Sequence, residues 1–228
     1  MIRLILFIGR NKFYPYICLF LVMLAFLYTN PLETFDKRYA ISLIGAICGL
    51  LCVVLLAKRK NSGNIVGMMA ASAESTANVL GNNIGVASLS VFYFISHIYG
   101  LVNWRKNQNN NKVVKVRQLK ENHFLATLVF LILATFFNIY LTEQLNVSNT
   151  SYQLIANCFI FGLGIIAQLL LMMRFSFNWY LWIILNVLTV ALNIYTNNPV
   201  IATQYLIYLF NAIYGVCEWK VDSKQTKD

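Results

Sequence analysis

Trp179, Trp182, Asn186, Thr189 and Asn193 follow one another at steps of 3, 4, 3 and 4 residues. On a helix that spacing lines all five along one face. An indole offers a flat surface on which a planar ring can stack, and an amide donates and accepts hydrogen bonds without needing a counter-charge. Such a stripe suits the wall of a passage for a flat, polar molecule, a reading that Trp182 and Asn186 carry best. A plainer reading makes Trp179 an interfacial anchor and Asn186 a hydrogen bond between helices.

Glu74 is the acidic residue inside an apolar run, on one helical face with Gly67, Ala71 and Asn78. A carboxylate at that depth is costly unless paired or protonated, and so points to function. It could receive hydroxyls or an exocyclic amine, balance a cationic ring, couple to protons, or be protonated and bonded to a neighbouring helix. Two further faces could wall a pocket: Gln204, Tyr208, Asn211 and Gly215, and Gln153, Asn157, Gly164 and Gln168. Asn157 and Asn211 fall at suitable depth, whereas Gln153 is near a helix end. His97 is expected to be a structural imidazole bonded to a backbone carbonyl, and Asn138 to be packing glue. Tyr99, Trp104, Tyr214 and Trp219 are expected in an aromatic belt at the helix ends, with closure of an inner gate as the alternative.

No catalytic set accompanies these residues. The chain holds no P-loop, G-x-S-x-G or H-E-x-x-H, and no Cys/His cluster at ligand spacing, so neither enzyme activity, a metal nor a cofactor is expected. Its five cysteines lie in apolar runs, where they act as small hydrophobes.

The elements that hold these side chains follow from hydropathy. Hydrophobic residues make up 59% of the chain and charged ones 11%, well below the roughly 25% of a soluble domain, which predicts an all-α integral membrane protein. Eight apolar runs are long enough to span a bilayer: 13–28, 39–57, 65–80, 84–102, 124–141, 151–172, 179–195 and 200–217. The third, rich in Ala, Ser and Asn, suits close packing inside a bundle. The first could be a signal peptide, but no A-x-A-like site follows it and a retained helix is expected. With the N-terminus in the cytoplasm, sixteen of the 18 Lys and Arg residues fall inside and only Lys37 and Arg38 outside. The net charge of +10 therefore reads as attraction to a membrane surface rather than to nucleic acid. Asn146-Val147-Ser148 and Asn149-Thr150-Ser151 are read as chance matches to glycosylation acceptors.

The runs form two copies of one unit. Shifted by 115 positions without a gap, Gly49 meets Gly164, Leu55-Leu56 meets Leu170-Leu171, Arg59 meets Arg174, Asn82-Asn83 meets Asn197-Asn198, Tyr93 meets Tyr208, and Trp104 meets Trp219. The expected organisation is an N-terminal helix and outer loop (1–38), a first three-helix repeat (39–104), a basic loop and linker helix (105–150), a second repeat (151–220) and a tail (221–228). An odd number of helices per copy needs the linker helix to keep the copies parallel, giving a 3+1+3 core with one extra N-terminal helix. The 103–123 loop, with Asn107-Gln108-Asn109-Asn110-Asn111 and six basic residues, reads as a mobile cytoplasmic connector. At the same offset Trp179 faces Asn64, Trp182 faces Gly67, Asn186 faces Ala71, Glu74 faces Thr189 and Asn211 faces Ser96. One copy carries bulk where the other leaves room.

Trp179-x-x-Trp182-x-x-x-Asn186 resembles the W-x-x-W-x-x-x-N motif of the PnuC family of bacterial vitamin transporters, whose best-known members carry nicotinamide riboside. The likeness extends to the 3+1+3 core of parallel repeats, an architecture related to the SWEET sugar transporters. The resemblance implies an inner-membrane carrier with both termini cytoplasmic, and substrate held at Trp182 and Asn186. It implies facilitated diffusion by rocking of the two units, and trapping through phosphorylation by a cytoplasmic kinase. Deoxynucleosides or thiamine are alternative substrates. A substrate-binding subunit docking an ATPase through the basic loop is an alternative class, and a homo-oligomer is compatible with either.

Overall fold

A computed structural model describes residues 2–29, 36–80, 84–119, 121–144, 151–195 and 199–225. The repeat-matched Asn82-Asn83 and Asn197-Asn198 and the acceptor asparagines Asn146 and Asn149 lie outside the described residues. Among the described residues the chain is helical, with only isolated β-bridges. A helix stands at each apolar run: α2 (Tyr14–Thr29), α3 (Lys37–Ala57), α4 (Ser62–Leu80), α5 (Ile84–Lys106), α6 (Glu121–Gln144), α7 (Ser151–Met172), α8 (Asn178–Tyr195) and α9 (Pro199–Gln225). Before them comes α1 (Ile2–Arg10), which hydropathy does not separate from the basic N-terminal flank.

By length and composition α3, α8 and residues 155–172 of α7 are apolar enough to cross a membrane, and α1 with α2 would make a fourth despite their 82° bend. The Ser- and Asn-rich α4 instead turns small residues inward, burying Gly63, Asn64, Gly67, Ala70 and Ala71. Large apolar side chains such as Leu133, Phe136 and Phe137 of α6 face outward, as lipid-facing positions do.

The two repeats begin with helices that end alike. Arg59 (φ 57°) and Arg174 (φ 68°) adopt the left-handed conformation. The following N–H reaches back five residues, Lys60 to the Leu55 carbonyl and Phe175 to the Leu170 carbonyl, both at 2.9 Å. This is a Schellman closure, a place usually filled by glycine. A side chain there costs about 1–2 kcal/mol, so its recurrence at the 115 offset marks one backbone unit used twice.

The segment 107–119 ties the two turns together and is not the free connector its composition suggested. Val114 N–H donates to the Arg59 carbonyl (3.2 Å), Arg117 N–H to the Arg174 carbonyl (2.8 Å), and Ser176 N–H to the Arg117 carbonyl (3.0 Å). Arg174 Nη1 donates to the Lys115 carbonyl at 3.1 Å, and the Arg117 guanidinium lies 4.5 Å above the Phe175 ring. Burial, then the neighbouring Arg117 charge, lowers the Arg174 pKa from its ordinary value. Composition registers the charges of this strap but is blind to its backbone pairing.

Above the strap the repeats exchange contacts. Trp104 Nε1 donates to the Leu171 and Met172 carbonyls at the end of α7 (3.2 and 3.1 Å), and Trp219 Nε1 donates to the Ala57 carbonyl at the end of α3 (3.1 Å). The Tyr93 hydroxyl lies 2.7 Å from where a Gly164 Cβ would stand, and the Tyr208 hydroxyl 3.0 Å from a Gly49 Cβ. In each pair the 115 shift converts one contact into the other with the repeats exchanged. A two-fold axis produces such reciprocity. Both tryptophan contacts and both turns sit at the strap end. Trp104 and Trp219 are 0% exposed and Tyr214 1%, which corrects the aromatic-belt reading for these three, whereas Tyr99 does lie on the surface.

The non-repeat helices cover the seams. Tyr14, Cys18 and Val22 of α2 pack on Leu50 and Val54 of α3 and on Phe210 of α9. Beneath them Arg10 pairs with Glu218 at 3.0 Å. Within the second repeat Gly215 lets Trp179 lie flat against α9, where a Cβ would enter the indole ring. Gly215→Ala should therefore lower stability by about 1–3 kcal/mol, measured as the thermal unfolding midpoint in detergent.

Candidate functional site

All six repeat helices border one cavity of about 170 Å3. The helical stripe on α8 divides along its length. Trp179, Trp182 and Asn186 line the cavity, but Thr189 and Asn193 do not, because each hydroxyl or amide turns back on its own helix. Thr189 Oγ1 donates to the Leu185 carbonyl (2.9 Å) and Asn193 Nδ2 to the Thr189 carbonyl (2.8 Å), the local bonding open to short polar side chains. Asn78 does the same to the Glu74 carbonyl (2.8 Å), and the Asn211 amide donates to the Ile207 carbonyl (3.0 Å).

Glu74 and Tyr208 line the cavity. Gln204 stands behind it, its Nε2 donating to the Tyr208 hydroxyl at 2.9 Å. Asn157 lies on the outer surface of α7, because its position on the helical wheel faces away from the repeat partner. The predicted face of α7 contributes Gln168 alone to the cavity, and the Gln153 side chain lies outside the described residues.

Opposite the tryptophans the wall is made by Gly67, Ala70 and Ala71. Gly67 and Ala71 are the positions that the 115 shift pairs with Trp182 and Asn186. At Gly67 the room is taken by the His97 ring, which a Cβ there would enter. At the strap end the cavity is floored by Leu56, Leu171 and Trp179. Below the floor the Trp179 ring meets Trp219 edge-on at 5.6 Å, and Trp219 meets Trp104 at 5.9 Å.

Several polar groups at the cavity are unmet. The indole N–H groups of Trp179 and Trp182 have no acceptor. Neither the Asn186 amide nor the Glu74 carboxylate has a hydrogen bond among the described residues. The two buried indole N–H groups destabilise the empty protein by about 1–3 kcal/mol each. Their convergence on one cavity points to a ligand that completes them.

His97 also borders the cavity, and its partners differ from the backbone carbonyl expected. Its Nδ1 lies 3.1 Å from Asn64 Oδ1, whose own amide donates to Asn61 Oδ1 at 2.9 Å. Asn64 Oδ1 can only accept, so His97 Nδ1 carries the proton. Nε2 is then free to accept from Gln168 Nε2 (3.3 Å), which also donates to Ser96 Oγ (2.9 Å). The chain of bonds joins α4 and α5 of the first repeat to α7 of the second.

The family model described as Nicotinamide mononucleotide transporter matches residues 39–221. The chain belongs to this family. Among curated proteins it is similar to the nicotinamide riboside transporter PnuC of Haemophilus influenzae, 26% identical over 190 residues that cover 82% of this chain and 81% of the relative. It is also similar to the Escherichia coli protein of that name, 26% identical over 201 residues, 78% of this chain and 84% of the relative. A solved structure titled the vitamin B3 transporter PnuC superposes with a TM-score of 0.74 at 22% identity, covering 94% of this chain and 93% of that one. The likeness is one of fold.

As a member of the nicotinamide mononucleotide transporter family the chain is a multi-pass inner-membrane protein of a transporter family, not of an enzyme family. What sequence reasoning missed in this family member is the role of residues ordinary in any apolar helix. Tyr93, Tyr205, Cys52 and His97 join the cavity. Only the 115 offset, which pairs Tyr93 with Tyr208, offered a signal for one of them. Gln168→Leu would remove the bonds to His97 Nε2 and Ser96 Oγ, leaving them Cys52 Sγ at 3.9 Å and the Tyr93 carbonyl at 2.7 Å, and should cost about 1 kcal/mol. A thermal unfolding midpoint in detergent equal to that of the parent protein would show that Gln168 does not bridge the repeats.

Proposed function

We propose that the chain carries nicotinamide riboside across the inner membrane by facilitated diffusion, with the ligand held in the cavity between the repeats. The observation that carries this reading is the meeting of Trp182, Asn186 and unmet hydrogen-bonding groups in one cavity. The aromatic faces take the flat ring, and the Asn186 amide and indole N–H groups take the carboxamide and sugar hydroxyls. The relatives named as nicotinamide riboside transporters support that ligand. Among the described residues the cavity walls bear a carboxylate and no lysine or arginine, which argues for the riboside over the phosphorylated mononucleotide, since a phosphate would meet like charge and no cation.

In this reading eight segments cross the bilayer with both termini in the cytoplasm, an orientation supported by the basic residues at the strap end. Cargo is retained by phosphorylation in the cytoplasm. Alternating access is rocking of the repeats about their two-fold axis, and the floor of Leu56, Leu171 and the three edge-packed tryptophans is the inner gate. The indole bonds of Trp104 and Trp219 hold that gate shut, because each ties the end of one repeat's first helix to the other repeat.

Uptake by the purified protein in liposomes, with no ATP and no ion gradient, is the expected result. Uptake that requires an added ATPase would overturn the carrier reading. Trp182→Ala should weaken riboside binding by roughly 1–3 kcal/mol, the size of a base–aromatic stack, read by calorimetry; unchanged affinity would remove Trp182 from the site. For the gate, the double variant Trp104→Phe with Trp219→Phe keeps the rings and deletes both N–H donors. In a background whose only cysteine is Cys52, a membrane-impermeant maleimide applied from the cytoplasmic side should label the double variant several-fold faster than its parent. Equal rates would show that the tryptophan bonds do not gate the cavity.

A further inference from the structure

Glu74 stands alone in charge. Its carboxylate borders the cavity, has no hydrogen bond or ion pair among the described residues, and shares the lining with no lysine or arginine. Tyr205 and Tyr208 from α9, their rings 5.5 Å apart, line the same cavity with Tyr93 from α5. All three tyrosines lie within the electrostatic reach of Glu74. Gly45 and Gly49 of α3 make the room. A Cβ at Gly45 would press on Glu74 Cγ at 3.3 Å, and one at Gly49 would stand 3.9 Å from Glu74 Oε1 and 3.0 Å from the Tyr208 hydroxyl.

The arrangement is one-sided. The 115 shift pairs Glu74 with Thr189 and Tyr205 with Ser90, so the other repeat supplies neither an acid nor this second tyrosine. Thr189 faces its own helix. An acid kept in an apolar slab without a protein counter-charge leaves that charge to the ligand, and the tyrosine rings that line the same cavity add to the preference for a cation. The ring stacked on Trp182 is the part of the ligand that can carry the charge.

We propose that Glu74, with Tyr93, Tyr205 and Tyr208, makes this cavity selective for a positively charged heteroaromatic ring, so that the oxidised pyridinium riboside binds and its neutral dihydropyridine form is rejected. The proposal rests on the riboside reading and adds that ring charge, not shape alone, decides entry. The two forms have the same sugar and nearly the same outline, and differ in the ring charge.

Calorimetry on the purified protein tests it with four ligands: the oxidised riboside, the reduced riboside, thiamine as an unrelated cationic heteroaromatic, and uridine as a neutral nucleoside. The oxidised riboside should bind roughly tenfold or more tightly than the reduced one. Glu74→Gln, which keeps shape and removes charge, should lower affinity for the oxidised form and bring that ratio close to one. Its thermal unfolding midpoint should match or exceed that of the parent, since an unpaired carboxylate is lost. A ratio near one in the unaltered protein overturns the proposal without any variant being needed, and so does a ratio that survives Glu74→Gln. If no riboside binds but thiamine does, and Glu74→Gln abolishes it, the riboside reading fails and charge selection stands. Binding of uridine alone overturns both.

Discussion

The Ala57 and Met172 carbonyls that end α3 and α7 each accept an indole N–H from the opposite repeat, Ala57 from Trp219 and Met172 from Trp104. A buried acceptor left open would be expensive, and no water need enter, since Trp104 and Trp219 are fully enclosed. These two bonds fix much else. They set how closely the repeats approach, bring Trp219 against Trp179, and so hold the indole that floors the cavity. The strap beneath them fastens the neighbouring turns through backbone bonds, so the strap end is the most thoroughly tied part of the bundle.

Symmetry at that end allows asymmetry at the cavity. The tyrosine–glycine contacts and tryptophan bonds are duplicated and reciprocal, whereas the cavity walls are not. Trp182 and Asn186 stand where the first repeat has Gly67 and Ala71, and Glu74 stands where the second has Thr189. The polar chain through Asn64, His97 and Gln168 exists on the α5–α7 seam. At its equivalent on the α9–α3 seam the shift places Trp179, Ala212 and Val53. One seam is bonded through polar side chains and the other is apolar and covered by α2. A symmetric frame thus surrounds a site able to hold an asymmetric molecule in one orientation.

Polar groups inside the bundle fall into two kinds. Thr189, Asn193, Asn78 and the Asn211 amide N–H bond back to carbonyls of their own helices, while Asn211 Oδ1 has no partner among the described residues. Asn186, Glu74 and the indole N–H groups of Trp179 and Trp182 have no such bond, and three of these four residues come from a single helix, α8. These four border the cavity, where their lack of partners in the empty protein becomes affinity for whatever completes them.

The sequence by itself determined the helices, because apolar length is a local property, and it determined the repeat, because identities at the 115 offset survive divergence. It also singled out Trp179, Trp182, Asn186, Glu74 and Tyr208, which line the cavity. It could not decide which members of a polar stripe would turn back on their own helix. Thr189 and Asn193 share a face with Asn186, and only the neighbouring helices determine whether that face meets open space. Nor could it find the partners of His97, which lie 33 and 71 residues away, or the bond from Trp219 to Ala57 across 162 residues. Tertiary structure decided those, because a hydrogen bond depends on distance and direction in space, while periodicity reports only on which side of one helix a residue falls.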